Sequence, residues 1–81
     1  MPTPRINADF NNADRHGRLR LAIRGSEEDI MAQKLELLNG MKIIVHDDDE
    51  LSADAEAIFS EEEKIWVAKI DWSKIKRKPT T

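Results

Sequence analysis

Near its start the chain alternates between apolar and polar residues with a period of two. Ile6, Ala8 and Phe10 fall on one side of an extended backbone and Arg5, Asn7 and Asp9 on the other, which predicts a half-buried strand over residues 5–10. Residues 18–24 repeat the pattern, with Leu19, Leu21 and Ile23 inward, Arg18, Arg20 and Arg24 outward, and Ala22 completing the outer row. A helix would scatter these arginines around its cylinder, so a second strand is expected. Residues 11–17, Asn-Asn-Ala-Asp-Arg-His-Gly, are rich in turn formers and predict a hairpin loop between the two.

Gly25-Ser26 interrupts the alternation. Ser26 is placed to cap a short helical turn near residues 26–33, with Asp29 where a capping box wants an acid. Leu35, Leu37 and Leu38 then return the chain to the core. Asn39-Gly40 tolerates positive φ and marks a tight turn. After it, residues 41–46 predict a strand whose second face, through Ile44, is partly apolar, as a central strand requires. Residues 47–50, Asp-Asp-Asp-Glu, must be solvated. Residues 53–60 set Ala55, Ala57 and Phe59 against Asp54, Glu56 and Ile58; the alanines also favour helix, but the neighbouring pattern selects strand. Glu61, Glu62 and Glu63 make a turn, and residues 64–72 form the return strand, with Trp66, Ala68, Ile70 and Trp72 on one face.

Five short strands with turns between them predict an all-β fold, a small antiparallel five-stranded barrel with the one helical turn. From Gly40 to Trp72 the layout of glycine turn, apolar strand, polar loop and hairpin resembles an SH3-like barrel in architecture. An OB-like barrel is the alternative, and a sheet with one packed helix comes third. Residues 4–73 form a single domain, and residues 74–81 are expected as a basic, disordered C-terminal tail.

Composition narrows the function classes. The chain has 81 residues, 40% of them apolar and 36% charged, enough for one thin core and no second domain. Without cysteine there is no disulfide framework, thiolate metal site or cysteine nucleophile. No stretch approaches the roughly 20 apolar residues of a membrane span, so a soluble cytoplasmic protein is expected, with no membrane partner. A net charge of −3 hides segregation. Five arginines stand against two aspartates in residues 1–24, thirteen acids against two lysines in residues 25–63, and six bases against one aspartate in residues 64–81. Either basic strands lie beside acidic ones and neutralise them, or the surface is bipolar.

Catalysis finds little support. The run from His46 to Glu50 lacks the alternate spacing and central glycine of a calcium loop, and neighbouring carboxylates on an extended chain point apart. Asp14, Arg15 and His16 sit on a hairpin tip without a cleft, and the three glycines are isolated. No enzyme activity, cofactor or metal is therefore expected. Two binding chemistries stand out. Arg18, Arg20 and Arg24 on a strand would project at about 6.6–6.8 Å intervals, near the spacing of single-stranded phosphates, and Lys74, Lys76, Arg77 and Lys78 could add a basic arm. Trp72, where the last strand ends, either plugs the barrel or anchors a peptide groove. The sequence thus predicts a non-catalytic binding module, monomeric or homodimeric. Its first expected partner is another protein, met at a strand edge or at the Trp72 rim, flanked by the acidic loop of residues 47–50, and its alternative partner is single-stranded RNA or DNA, met by the seven basic residues.

Overall fold

The alternating run expected at residues 53–60 becomes the spine of the molecule. In the computed structural model, which describes residues 3–47 and 50–77, Leu51–Ser60 is one ten-residue strand, β4. Before it come β1 (Arg5–Asn7), β2 (Leu19–Arg20), helix α1 (Arg24–Ala32) and β3 (Lys42–Asp47). After it come β5 (Ile65–Ile70), a 3₁₀ turn (Trp72–Lys74) and β6 (Lys76–Arg77). β4 pairs antiparallel with β3 on one side and with β5 on the other, and its first residues, Leu51 and Ser52, also pair with β6. The sheet runs β1-β3-β4-β5-β2 and curls into an open half-barrel.

The curl follows from side-chain size. The concave face of β4 carries Ala53, Ala55 and Ala57, all buried, and Ala68 of β5 lies directly across from Ala57. Small groups on the central strand let the flanking strands fold inward until their larger side chains fill the hollow. Ile6, Leu19, Ile43 and Val45 do so, each at 1% exposure or less. At the hairpin end the cross-strand pair Phe59 and Trp66 meets edge to face, centroids 5.4 Å apart. On the convex face Val67 is fully buried between its cross-strand neighbours Ile58 and Arg20.

The expected hairpin between residues 5–10 and 18–24 does not form. β1 pairs parallel with β3 in the register Ile6 to Val45, β2 pairs with β5, and the two lie on opposite edges of the sheet. The sheet therefore has six strands, one parallel pair and an open side, in place of a closed antiparallel five-stranded barrel. The turn formers at 11–17 still make a hairpin, but a smaller one: Asp14 N–H bonds to Arg18 C=O, Arg20 N–H to Asn12 C=O, and Ala13 bridges Leu19. Strand pairing in the 18–24 run stops early. Leu21 N–H still reaches Trp66 C=O, but the chain then turns into α1, which carries Arg24 off the arginine row.

Ser26 does not cap the helix. Ile23 holds the N-cap position with no side-chain bond, and Ser26 is fully buried inside α1, its hydroxyl donating to Asn7 C=O. Asp29 accepts the Asn7 N–H at 2.7 Å, and Gln33 donates to Arg5 C=O at 2.7 Å. Positions 26, 29 and 33 share one helix face, and that face supplies hydrogen-bond partners to the outer edge of β1, as a neighbouring strand would. Gly25 permits the close approach, since a Cβ there would stand 2.9 Å from Asn7 Cγ. The helix ends in a Schellman pair, Leu35 N–H to Ile30 C=O and Lys34 N–H to Met31 C=O, with Lys34 at φ 53°.

The hairpin from 53 to 72 forms as expected through Ile70. The chain then breaks into the 3₁₀ turn, so Trp72 leaves the strand. Lys76 and Arg77, expected in the loose tail, instead pair with Ser52 and Leu51. Residues 78–81, including Lys78, and Asp48 and Asp49 of the acidic run lie outside the described residues. No helix among the described residues is long and apolar enough to cross a membrane.

Candidate functional site

The site grows from two turns that the fold brings together. In the first, the Asp14 carboxylate accepts the N–H groups of His16 and Arg18, both at 2.9 Å, and Arg18 Nε at 2.9 Å. Burial pushes the Asp14 carboxyl up, but these donors and the positive charge of Arg18 outweigh it and hold it below its ordinary range. The turn closes with Gly17 N–H on Asp14 C=O, and Gly17 adopts φ 77°, a conformation glycine enters without penalty.

In the second turn Asp71 caps the 3₁₀ turn. Its carboxylate accepts the Ser73 hydroxyl at 2.6 Å and the Ser73 N–H at 3.0 Å, which holds it below the usual carboxylate range. This break in the strand swings Trp72 toward the first turn. There its indole Nε1–H donates to Gly17 C=O at 2.8 Å, and its ring meets Phe10 edge to face, centroids 6.4 Å apart. Trp72 is 46% exposed, so the ring is fixed along one edge and at its nitrogen while much of its surface faces solvent.

Beside it lies an open groove of about 410 Å³ lined by His16, Gly17, Arg18, Ile58, Lys69, Ile70 and Trp72. It exists because β2 is only two residues long and covers β5 only at Val67 and Ala68. Lys69 and Ile70 run on past the end of β2, and His16 and Gly17 of the first turn line the groove with them.

The seven basic residues of the expected nucleic-acid surface do not form one row. Arg18 and Arg20 stay close together on the small hairpin, but both are engaged. Arg20 grips Glu63 with two parallel bonds, Nε to Oε1 at 2.7 Å and Nη2 to Oε2 at 2.8 Å. Its Nη1 binds Asn12 Oδ1 and Ala13 C=O. The Arg20 hydrogen bonds hold Glu63 below its ordinary range. Arg24 sits on α1, 93% exposed along its side chain, paired with Glu28 at 2.9 Å. Lys74, Lys76 and Arg77 are exposed on the 3₁₀ turn and β6. From the acidic run, Asp47 accepts Phe10 N–H at 3.3 Å. Beyond Trp72 and Arg18, the groove recruits His16, which the sequence offered only as part of a hairpin tip without a cleft, and Ile58, Lys69 and Ile70, which it did not mark as site residues. The Asp14-Arg15-His16-Gly17 turn was the visible signal for the first, but nothing in the alternation distinguishes Lys69 from other outward lysines. Comparison with family models, with curated proteins and with solved structures returns no match.

Proposed function

We propose that this protein is a non-catalytic small half-barrel module, SH3-like in layout, that binds other proteins through the groove at Trp72. The observation that carries the proposal is the combination found in the Trp72 ring, which is held by Gly17 and Phe10 and yet half open. A bound aromatic anchor contributes most when its position is already set before the partner arrives, because little rotamer freedom is lost on binding. Ile58 and Ile70 supply apolar walls next to it. The SH3-like layout draws support from the glycine turn at Gly40, φ 86°, followed by β3, a polar loop and the β4–β5 hairpin.

The test is a selection from a random-peptide library displayed on phage, run in parallel on the protein and on Trp72→Ala. Convergent sequences on the first and at least about tenfold poorer recovery on the second are expected, the scale of a hot-spot truncation. Equal recovery on both, or no convergence on either, overturns the proposal.

A further inference from the structure

We infer that the segment this groove takes is acidic, with one bulky apolar residue set between carboxylates; this rests on the protein-binding proposal above and specifies its partner. The groove's charge stands apart from that of the chain. The protein has 16 acidic residues, but none is among the seven that line the groove, whereas the cations Arg18 and Lys69 are; His16, also in the lining, is already engaged, its Nε2 accepting from Arg15 and lying 3.9 Å from Glu62 Oε2. The apolar lining, Ile58, Ile70 and the Trp72 ring, offers one recess for a large side chain, within the range of about 300–1,000 Å³ found for ligand sites.

The cations retain binding capacity. Among the described residues Asp14 alone pairs with Arg18, through Nε, and its carboxylate is turned into the loop with 2% of its side chain exposed. The two Nη groups of Arg18 have no acceptor among the described residues. Lys69 has no ion pair among the described residues either, although Glu56 lies directly across the strand pair. A carboxylate arriving over Lys69 would therefore meet an ammonium without an ion pair among the described residues.

The neighbouring surface limits the length of such a segment. A smaller groove on the other side of Lys69 is lined by Lys42, Asp54, Ala55, Glu56, Lys69, Ile70 and Asp71, and its three carboxylates outnumber its two lysines, which disfavours an acidic chain that runs further. Attraction at the groove and repulsion beyond it together select one or two carboxylates around an apolar anchor and reject a long polyanion. A single-stranded nucleic acid would need cations tracking its backbone and several stacking rings. Arg20 is spent on Glu63, and Trp72 is the sole exposed aromatic residue among the described residues.

The experiment extends the library selection to Lys69→Gln and Lys69→Glu; the glutamine variant keeps β5 without setting a second carboxylate opposite Glu56. Peptides recovered on the native protein are also made with each Asp and Glu changed to its amide, and affinities are read by fluorescence anisotropy. The native protein should enrich carboxylates on either side of an apolar residue. The amide forms should bind it about tenfold more weakly, and the difference should shrink to about twofold or less on Lys69→Gln. Trp72-dependent peptides without carboxylates, or with affinities indifferent to the amide change, would overturn this inference and leave the protein-binding proposal standing. Failure to recover any Trp72-dependent peptide would end both. A uridine-rich RNA hexamer that binds more tightly than the best peptide, and is lost in Trp72→Ala, would assign the groove to nucleic acid and end both as well.

Discussion

Replacing Ser26 with alanine removes one oxygen atom and tests how α1 is attached. In the native protein that oxygen donates its hydrogen to Asn7 C=O from a position with no solvent exposure. Without it the carbonyl has lost water and gained nothing, which costs about 1–3 kcal/mol. Alanine is the better helix former by up to about 0.7 kcal/mol and recovers part of that. The net expectation is a loss of about 1.5 kcal/mol. For a domain of this size that is a fall in Tm of roughly 6–12 °C, read by circular dichroism. Gln33→Ala is the control. It removes a bond to Arg5 C=O from the same helix face, but Gln33 is exposed and water can replace it, so the change should stay within about 0.5 kcal/mol. Hydrogen exchange should also quicken at the Asn7 amide, which Asp29 holds. A Tm within about 2 °C of the native value in Ser26→Ala, or an equal cost in Gln33→Ala, would refute this account of how α1 is attached.

Three further outcomes are expected. Lys64 closes the β4–β5 turn at φ 60°, so Lys64→Gly should raise stability by about 1 kcal/mol, measured as a higher urea midpoint with an unchanged slope. Gly17→Ala should do the reverse, because φ 77° strains alanine and its Cβ would stand 3.3 Å from Trp72 Nε1; a loss of about 1–2 kcal/mol should be accompanied by a changed Trp fluorescence maximum. Asp14 and Glu63 are both held below their ordinary values, so the folded state binds fewer protons than the unfolded one. Their stabilisation is complete above about pH 5 and is lost as pH falls through about 4 and below; Tm measured from pH 6 to pH 3 should fall, and in Asp14→Asn it should start lower and fall less.

Strands whose two faces differ were legible in the chain. Residues 41–46 and 53–70 alternate, and their connections, Asn39-Gly40 and Glu61–Glu63, are composed as turns, so β3, β4 and β5 follow from local chemistry. Ile44 on the second face of β3 correctly marked it as central. Period-two alternation says which face is buried but not which strand lies alongside, and so the parallel pairing of β1 with β3 was invisible. α1 was foreseen as a short helical turn near residues 26–33, but its docking on β1 was not. Its docked face is Ser26, Asp29 and Gln33, polar residues matched to a strand edge, which no count of apolar positions rewards. The arginine row shows the same limit: the alternation placed Arg18 and Arg20 on a common face, but Glu63 and Asp14 became their partners only through the fold. Trp72 was recognised as a candidate anchor, while the Asx-capped turn that swings it out of β5 depends on Asp71 and Ser73 acting together.

The Trp72–Gly17 bond has a kinetic consequence. β3, β4 and β5 follow one another through short connections, and such local pairings form early because little chain entropy is lost in closing them. Trp72 and Gly17 are 55 residues apart in sequence, and their contact requires that β2 has already docked on β5. The groove is thus among the last parts of the molecule to assemble, and it is absent from any intermediate in which the first twenty residues are still loose. A partner that needs the ring in place binds only the completed fold, so at a hundredfold excess over its Kd it slows the loss of the N-terminal strands by stabilising the closed form by about 2.7 kcal/mol. Occupancy of the groove and retention of the N-terminal segment then become a single equilibrium, and a protease acting on the open form would cut the free protein first.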